Sequence, residues 1–439
     1  MTKLVKLPVA IGLVVALGAC GIFKSNTKTP VLGERVPILL SERSITADAA
    51  LSGIEVVLPG AATNDAWGQP GGNAAKSMGH LALSATPGQL WQAKIPGGDN
   101  RNRLGAAPTV AGGKLYVVDT AGVVRAFSAD TGASLWTAAT SRDDKNASAA
   151  FGGGVSFEGE RVFATNGIGD VVAMNAATGA EIWRAKPGGP LRGAPTLANG
   201  QVYVVSQDNQ LFALNQADGK VAWTQSGSLE TQGVFGVAAP AAGQGTIVAG
   251  FSSGELNAYR YENGRSLWAD SLSRTSISTS VSSLADIDAE PVIDSGRVYA
   301  VGQGGRMVAL ELVSGQRLWE QNLAGISTPW VAGEWIFVVT DDARLMCLAR
   351  TTGRVRWISQ LPNFRNMKKS KDPIRWVGPM LAGGRLWALS SEGVISSASP
   401  TDGSIGASIE TKGSFTLAPV VANGILYTLS DEGTLTAFR

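Results

Sequence analysis

The sequence predicts an all-β fold: an eight-bladed β-propeller of four-stranded antiparallel blades, closed by an N-terminal strand that completes the last blade. Three observations predict it. A Gly-x-x-x-Trp signature recurs at Gly132/Trp136, Gly179/Trp183, Gly219/Trp223, Gly264/Trp268, Gly315/Trp319 and Gly353/Trp357, with successive Trp 38 to 51 residues apart. Strand-rich units repeating every ~40–50 residues mark a propeller or related array. A turn-broken apolar segment precedes each signature, and Gly is very abundant at 55 of 439 residues, which suits many short strands joined by tight turns.

The N-terminus reads as an export signal over residues 1–19. Lys3 and Lys6 form the positive region, and the apolar run from Leu7 to Leu17 is too short to span a membrane, which takes ~20 residues. It ends in Leu17-Gly18-Ala19-Cys20, so Cys20 is the expected lipidation site and the first residue of the mature chain. Two or more acyl chains anchor stably. The formal charge of +2 comes from Lys3 and Lys6 alone, so a chain cut at Cys20 is neutral and carries no broad footprint for nucleic acid. Residues 20–85 lack the repeat and are rich in small and polar residues, which reads as lipidated Cys and tether. Within them Ile54–Pro59 is a candidate docked strand, and Trp67 and His80 a surface-packed pair.

The propeller is expected over residues 86–439. Each unit opens on a Pro-led strand broken by a turn, as in Pro195 to Val205, where Asn199-Gly200 marks a hairpin. Seven such segments and one Pro-less copy at 149–164 give eight units. An alternating strand follows, then the Gly turn and the last strand with its Trp. A seventh signature, Asp402-Gly403, reaches Ala407 where the Trp belongs, which predicts a weaker or differently packed junction there. The eighth final strand is missing at the C-terminus, but Gly88-Gln89-Leu90-Trp91 supplies it at the other end, so residues 88–95 should close the ring and remove its open edges. The Trp residues are expected to cover blade junctions rather than bind ligand. Cys347, in an apolar strand pattern, is expected to be a buried thiol without a disulfide partner.

The Thr-Gly-x-x-x-Trp pattern resembles the pyrroloquinoline-quinone-type propeller repeat over about residues 88–439. Quinoprotein dehydrogenases with this repeat carry a vicinal Cys–Cys pair and a set of Ca²⁺-ligating carboxylates. The two cysteines here stand at 20 and 347, so no enzymatic activity and no cofactor are expected. The lipobox, the tether and the eight repeats together resemble the lipoprotein B subunits of the outer-membrane β-barrel assembly machinery. That resemblance implies a scaffold anchored in the outer membrane and facing the periplasm. Its implied partners are the polypeptide-transport-associated domains of the barrel subunit and nascent outer-membrane proteins. Ser283-Leu284-Ala285-Asp286-Ile287-Asp288 matches the family's partner-binding segment, which assigns that role to Leu284, Asp286 and Asp288. A second contact falls at Gln232-Gly233-Val234-Phe235-Gly236, where Val234 keeps the aliphatic position and Phe235 stands in place of the family's Arg.

Two alternatives stay open: a quinone-dependent periplasmic dehydrogenase, and a propeller lipoprotein with cell-wall or other protein partners. A metal site is not expected, because one His and the pair Asp286/Asp288 fall short of the ~6–8 oxygens Ca²⁺ takes. A Ser-His-Asp triad would have to draw on His80. Arg365 to Lys371 is a basic insertion facing solvent, anionic lipid, cell wall or an acidic partner.

Overall fold

The structure, a computed structural model, describes residues 45–99, 101–229, 238–273 and 286–439. Eight four-stranded antiparallel sheets follow one another along the chain. Blades 1 to 5 hold residues 109–139, 155–185, 191–226, 241–271 and 292–321, and blades 6 and 7 hold 330–360 and 376–410. Blade 8 joins 420–438 to the closing strand Gln89–Lys94, in the order the repeat count predicts. Gln89 pairs with Phe438 and Lys94 with Thr434. Gly88 and Arg439 exchange two backbone hydrogen bonds of 2.8 Å.

A row of three side chains crosses the blades. Tyr116, Ala126 and Trp136 stand side by side in blade 1, Tyr299, Ala309 and Trp319 in blade 5, and Phe337, Cys347 and Trp357 in blade 6. The small middle residue makes room for the outer ring, and Cys347 fills that place in blade 6, where it is fully buried. Burial pushes its thiol well above the usual range.

The Trp then reaches the next blade. Trp91, Trp136, Trp183, Trp223, Trp268, Trp319 and Trp357 each donate Nε1–H to a carbonyl of the following repeat at 2.8–3.1 Å. Each also covers that repeat's signature Gly, where an added Cβ would lie 2.5–2.6 Å from the ring. These glycines sit at φ 69–74°, so both the turn and the contact demand Gly. Burying a Trp removes ~150–250 Å² from water, worth ~4–6 kcal/mol of transfer free energy before the unfolded chain's own burial is discounted.

Ala407 has a physical reason. The place it would cover is the outer turn of blade 8, and there Gly88 pairs with Arg439 instead of a signature Gly turn. On the second strand of blade 7, which holds Tyr or Phe in blades 1, 5 and 6, Trp387 donates to the Ala382 carbonyl at 3.0 Å.

Residues 45–85 lie against the ring. Asp48 N–H donates to the Val355 carbonyl at 2.8 Å on the outer strand of blade 6. Ile54–Pro59 forms no strand, although Val56 is buried. From Ala62 to Leu81 the segment then circles the axis. Leu81 bonds Leu381 in blade 7, the Asn64 carbonyl accepts from Asn423 in blade 8, and Trp67 exchanges bonds with Val110 in blade 1. The carbonyls of Gly68, Ala74 and Ala75 accept from Phe157, Ala242 and Ile293 in blades 2, 4 and 5. Gln69 takes Leu197 in blade 3 through its side-chain amide, and Trp330 of blade 6 donates to the Gly79 carbonyl at 2.7 Å. The first strands of all blades but the sixth thus find a partner for backbone groups that would otherwise be unpaired, and blade 6 is held through the Trp330 side chain instead.

Trp67 and His80 are not a pair. Trp67 is buried and stacks on Trp330 at 6.3 Å. His80 contacts the Pro59 carbonyl through Nδ1 at 2.8 Å and accepts from the Gly384 N–H through Nε2 at 2.9 Å. That pattern assigns the Nδ1–H tautomer.

Candidate functional site

The four strands of each sheet alternate direction, so the blade-to-blade connections share one face of the ring with the turns between second and third strands. The circling segment closes the axis at the opposite end. Between them lies an axial cavity of about 160 Å³. Its floor is Trp67, Pro70, Gly71 and Lys76, and Asp288, Glu290 and Thr328 stand in its wall.

Lys76 is only 3% exposed. Its Nζ donates to the Pro70 carbonyl at 2.9 Å and to Thr196 Oγ1 at 3.1 Å. Burial pulls its pKa down to about 8, against the pull of Glu290. The Glu290 carboxyl is in turn raised by desolvation, with Lys76 opposing. Asp288 accepts from Gln303 Nε2 at 2.9 Å through Oδ2, while its Oδ1 is buried with no hydrogen-bond partner. Desolvation, then the neighbouring Asp286, push its carboxyl up to about 7.

Asp286 turns inward. It is 1% exposed, with Oδ1 3.9 Å from Arg192 Nη1. Arg192 donates to Ser252 Oγ at 2.7 Å, and Ser252 donates to Asn209 Oδ1 at 2.7 Å. The four connected residues tie blades 3 and 4 to the strand entering blade 5. Of the partner-binding residues expected from sequence, the structure therefore brings Asp286 and Asp288 to the axial mouth, one paired inside and one lining the cavity. Leu284, Val234 and Phe235 lie outside the described residues, as does Cys20. Sequence reasoning missed Arg192, Lys76 and Glu290. Leu191-Arg192-Gly193-Ala194-Pro195 gave a usable signal, an Arg at the head of a Pro-bearing inner strand.

The cavity is small beside the ~300–1,000 Å³ of typical ligand pockets, and Trp67, Pro70, Gly71 and Lys76 bound it at one end. Among the described residues no group of three or more His, Cys, Asp or Glu side chains is placed to hold a metal ion.

A family model described as outer membrane protein assembly factor BamB matches residues 75–149 and 120–359. The chain belongs to the BamB family. The BamB of Escherichia coli K12 is 30% identical over 391 residues, covering 80% of this chain and 88% of that protein. That of Yersinia pestis is 29% identical over 359 residues, covering 80% and 89%. The crystal structure of Moraxella catarrhalis BamB superposes with a TM-score of 0.68 at 19% identity, over 81% of this chain and all of that one. A quinohemoprotein alcohol dehydrogenase from Comamonas testosteroni superposes with a TM-score of 0.66 at 14% identity, covering 86% and 81%, a likeness of fold alone. BamB relatives are assembly factors of the outer membrane, and the chain is associated with that membrane's assembly machinery by family.

Proposed function

We propose that the chain is a non-enzymatic scaffold of the outer-membrane assembly machinery. It is held by a lipid on Cys20, faces the periplasm, and docks on the polypeptide-transport-associated domains of the barrel subunit. Membership of the BamB family over most of the propeller carries this reading. The docking surface is the face bearing the connections from blade 3 to 4 and from blade 4 to 5, with Val234, Phe235 and Leu284 as its apolar contacts and Asp288 as its charge. Asp286 serves that surface indirectly: its pairing with Arg192 supports fixing the approach to blade 5. Aliphatic anchors beside a carboxylate on a rigid ring suit a protein partner. The outer strands of every blade but the sixth carry an exposed aliphatic such as Leu135, Ile182 or Leu267, which suits strand addition by nascent barrel proteins.

The test is co-purification with the barrel subunit from solubilised membranes. Phe235→Asp and Leu284→Asp should each reduce recovery of the barrel subunit while leaving the melting temperature unchanged. Full recovery with both substitutions combined would remove this surface from the reading. Asp286→Ala is a poor probe, because it strands Arg192 in the interior and lowers stability by itself.

A further inference from the structure

The charges around the axis do not balance. Three carboxylates gather there, Asp286, Asp288 and Glu290, against two cations, Arg192 and Lys76. Asp286 takes Arg192 at 3.9 Å. Glu290 and Lys76 attract one another, each opposing the other's desolvation. Next to them Asp341 faces Arg375, and Asp342 pairs with Arg344. Asp288 is left without a cation of its own. Burial and then Asp286 push its carboxyl up to about 7, Asp341 adds to the rise, and Arg192 opposes it.

Two polar groups in the cavity wall also lack partners. Asp288 Oδ1 is buried and accepts no hydrogen bond. Ser327 is only 8% exposed and lines the cavity, and its hydroxyl bonds to none of the described residues. The Lys76 ammonium is already held by the Pro70 carbonyl and Thr196 Oγ1. The stacked Trp67 and Trp330 rings line the same cavity. Trp330 gives its Nε1–H to the Gly79 carbonyl. An aromatic face attracts a cation within ~6 Å of its centroid. A cavity of ~150 Å³ holds a benzene-sized molecule, and this one measures about 160 Å³.

We propose that the axial cavity binds a small organic cation bearing N–H groups, a guanidinium or primary ammonium of about six non-hydrogen atoms. Its N–H groups donate to Asp288 Oδ1 and Ser327 Oγ, its charge closes the count at the axis, and its body lies against the Trp67 and Trp330 rings. Water would satisfy the two oxygens and leave the charge unbalanced. A quaternary ammonium would balance the charge and leave both oxygens without a donor. Ca²⁺ takes ~6–8 oxygens, and among the described residues only Asp288 and Glu290 bring carboxylates to this cavity.

The experiment is a calorimetric titration of the full chain, purified in a non-ionic detergent, with methylguanidinium chloride at pH ~8, where the Asp288 carboxyl is charged. One saturable site is expected by ~10 mM, since a ligand of so few atoms binds no tighter than micromolar. Asp288→Asn keeps an acceptor for Gln303 and removes the charge, and should weaken binding about ten-fold or more. Ser327→Ala, which leaves the charge in place, should weaken it about three-fold. Potassium chloride at equal concentration should show no saturable site, and tetramethylammonium chloride should bind more weakly than methylguanidinium. Absence of a saturable site overturns the proposal. So does an Asp288→Asn variant that binds as the parent does, which would put the cation elsewhere. Tetramethylammonium binding as tightly as methylguanidinium also overturns it, because the two unpartnered oxygens would then play no part. The chain is titrated without the barrel subunit, which keeps the result separate from docking.

Discussion

Asp288→Asn tests the electrostatics of the axial mouth. In the folded chain burial and Asp286 raise the Asp288 carboxyl to about 7, with Arg192 opposing and Asp341 adding to the rise. Unfolded, it titrates near the ordinary ~3.9. Between these values the folded chain holds a proton that the unfolded chain has released. The corresponding stability is fully present below pH ~4 and is lost as pH rises through ~7. At 1.36 kcal/mol per pH unit the loss is at most ~4 kcal/mol, and the solvent contact Asp288 retains reduces it to ~1–3 kcal/mol. Asn stays neutral throughout and still accepts from Gln303, whose Nε2 lies 2.9 Å from Oδ2. The variant should therefore be ~1–3 kcal/mol more stable than the parent at pH 8 and equal to it at pH 4. With ~2.1 cal/mol/K of unfolding entropy per residue, a unit of this length gains ~1 °C in Tm per kcal/mol. Calorimetry at the two pH values reads the difference. A variant less stable at pH 8, or offset equally at both, would show that the carboxylate is held charged by its neighbours.

Three further outcomes follow from the packing. Gly219→Ala should cost ~2–4 kcal/mol, because its Cβ would meet the Trp183 ring at 2.5 Å, whereas Gly200→Ala, at the same positive φ with open space around it, should cost ~1 kcal/mol of strain. Urea melts compare the two, and equal losses would refute the junction. Trp67→Ala removes a buried ring stacked on Trp330 and should lower stability by ~3–5 kcal/mol; a loss under ~1 kcal/mol would mean the circling segment is not anchored there. For Lys76 the sign is opposite to that of Asp288: its folded pKa of about 8 lies below the unfolded ~10.4, so stability rises with pH between them. Lys76→Met should abolish that rise in melting curves from pH 8 to 10, and an unchanged slope would assign it to other groups.

The ring was legible because its information is periodic. Gly and Trp recur at fixed offsets, and each copy says the same thing about a turn and a junction. The closing strand was legible by counting, since Trp91 had a junction to cover and no unit before it. The circling segment was not legible for the converse reason. Ala62 to Leu81 meets the blades through single residues, mostly by backbone groups that any side chain can supply. Asn64, Trp67, Gln69, Lys76, Ser77 and His80 are the positions whose side chains carry its placement, and they form no spacing pattern. The axial mouth was half legible. Asp286 and Asp288 stood out as a motif, but the partner of Asp286 is Arg192, two blades earlier, and Asp288 lines the axial cavity while Ile287 between them is buried.

The meeting of Gly88 with Arg439 bears on how the molecule is made. Synthesis runs from the N-terminus, and the strand carrying Gln92 must wait for Thr436, 344 residues later, before it has a neighbour. Until then blade 8 lacks the Trp91 cover and blade 1 lacks the ring that shields Gly132. Translation and export products that stop short of Thr434 would leave that seam unzipped, with two raw sheet margins for proteases to find. Thr434 to Phe438 therefore decide whether a strand made long before them ever gains a neighbour.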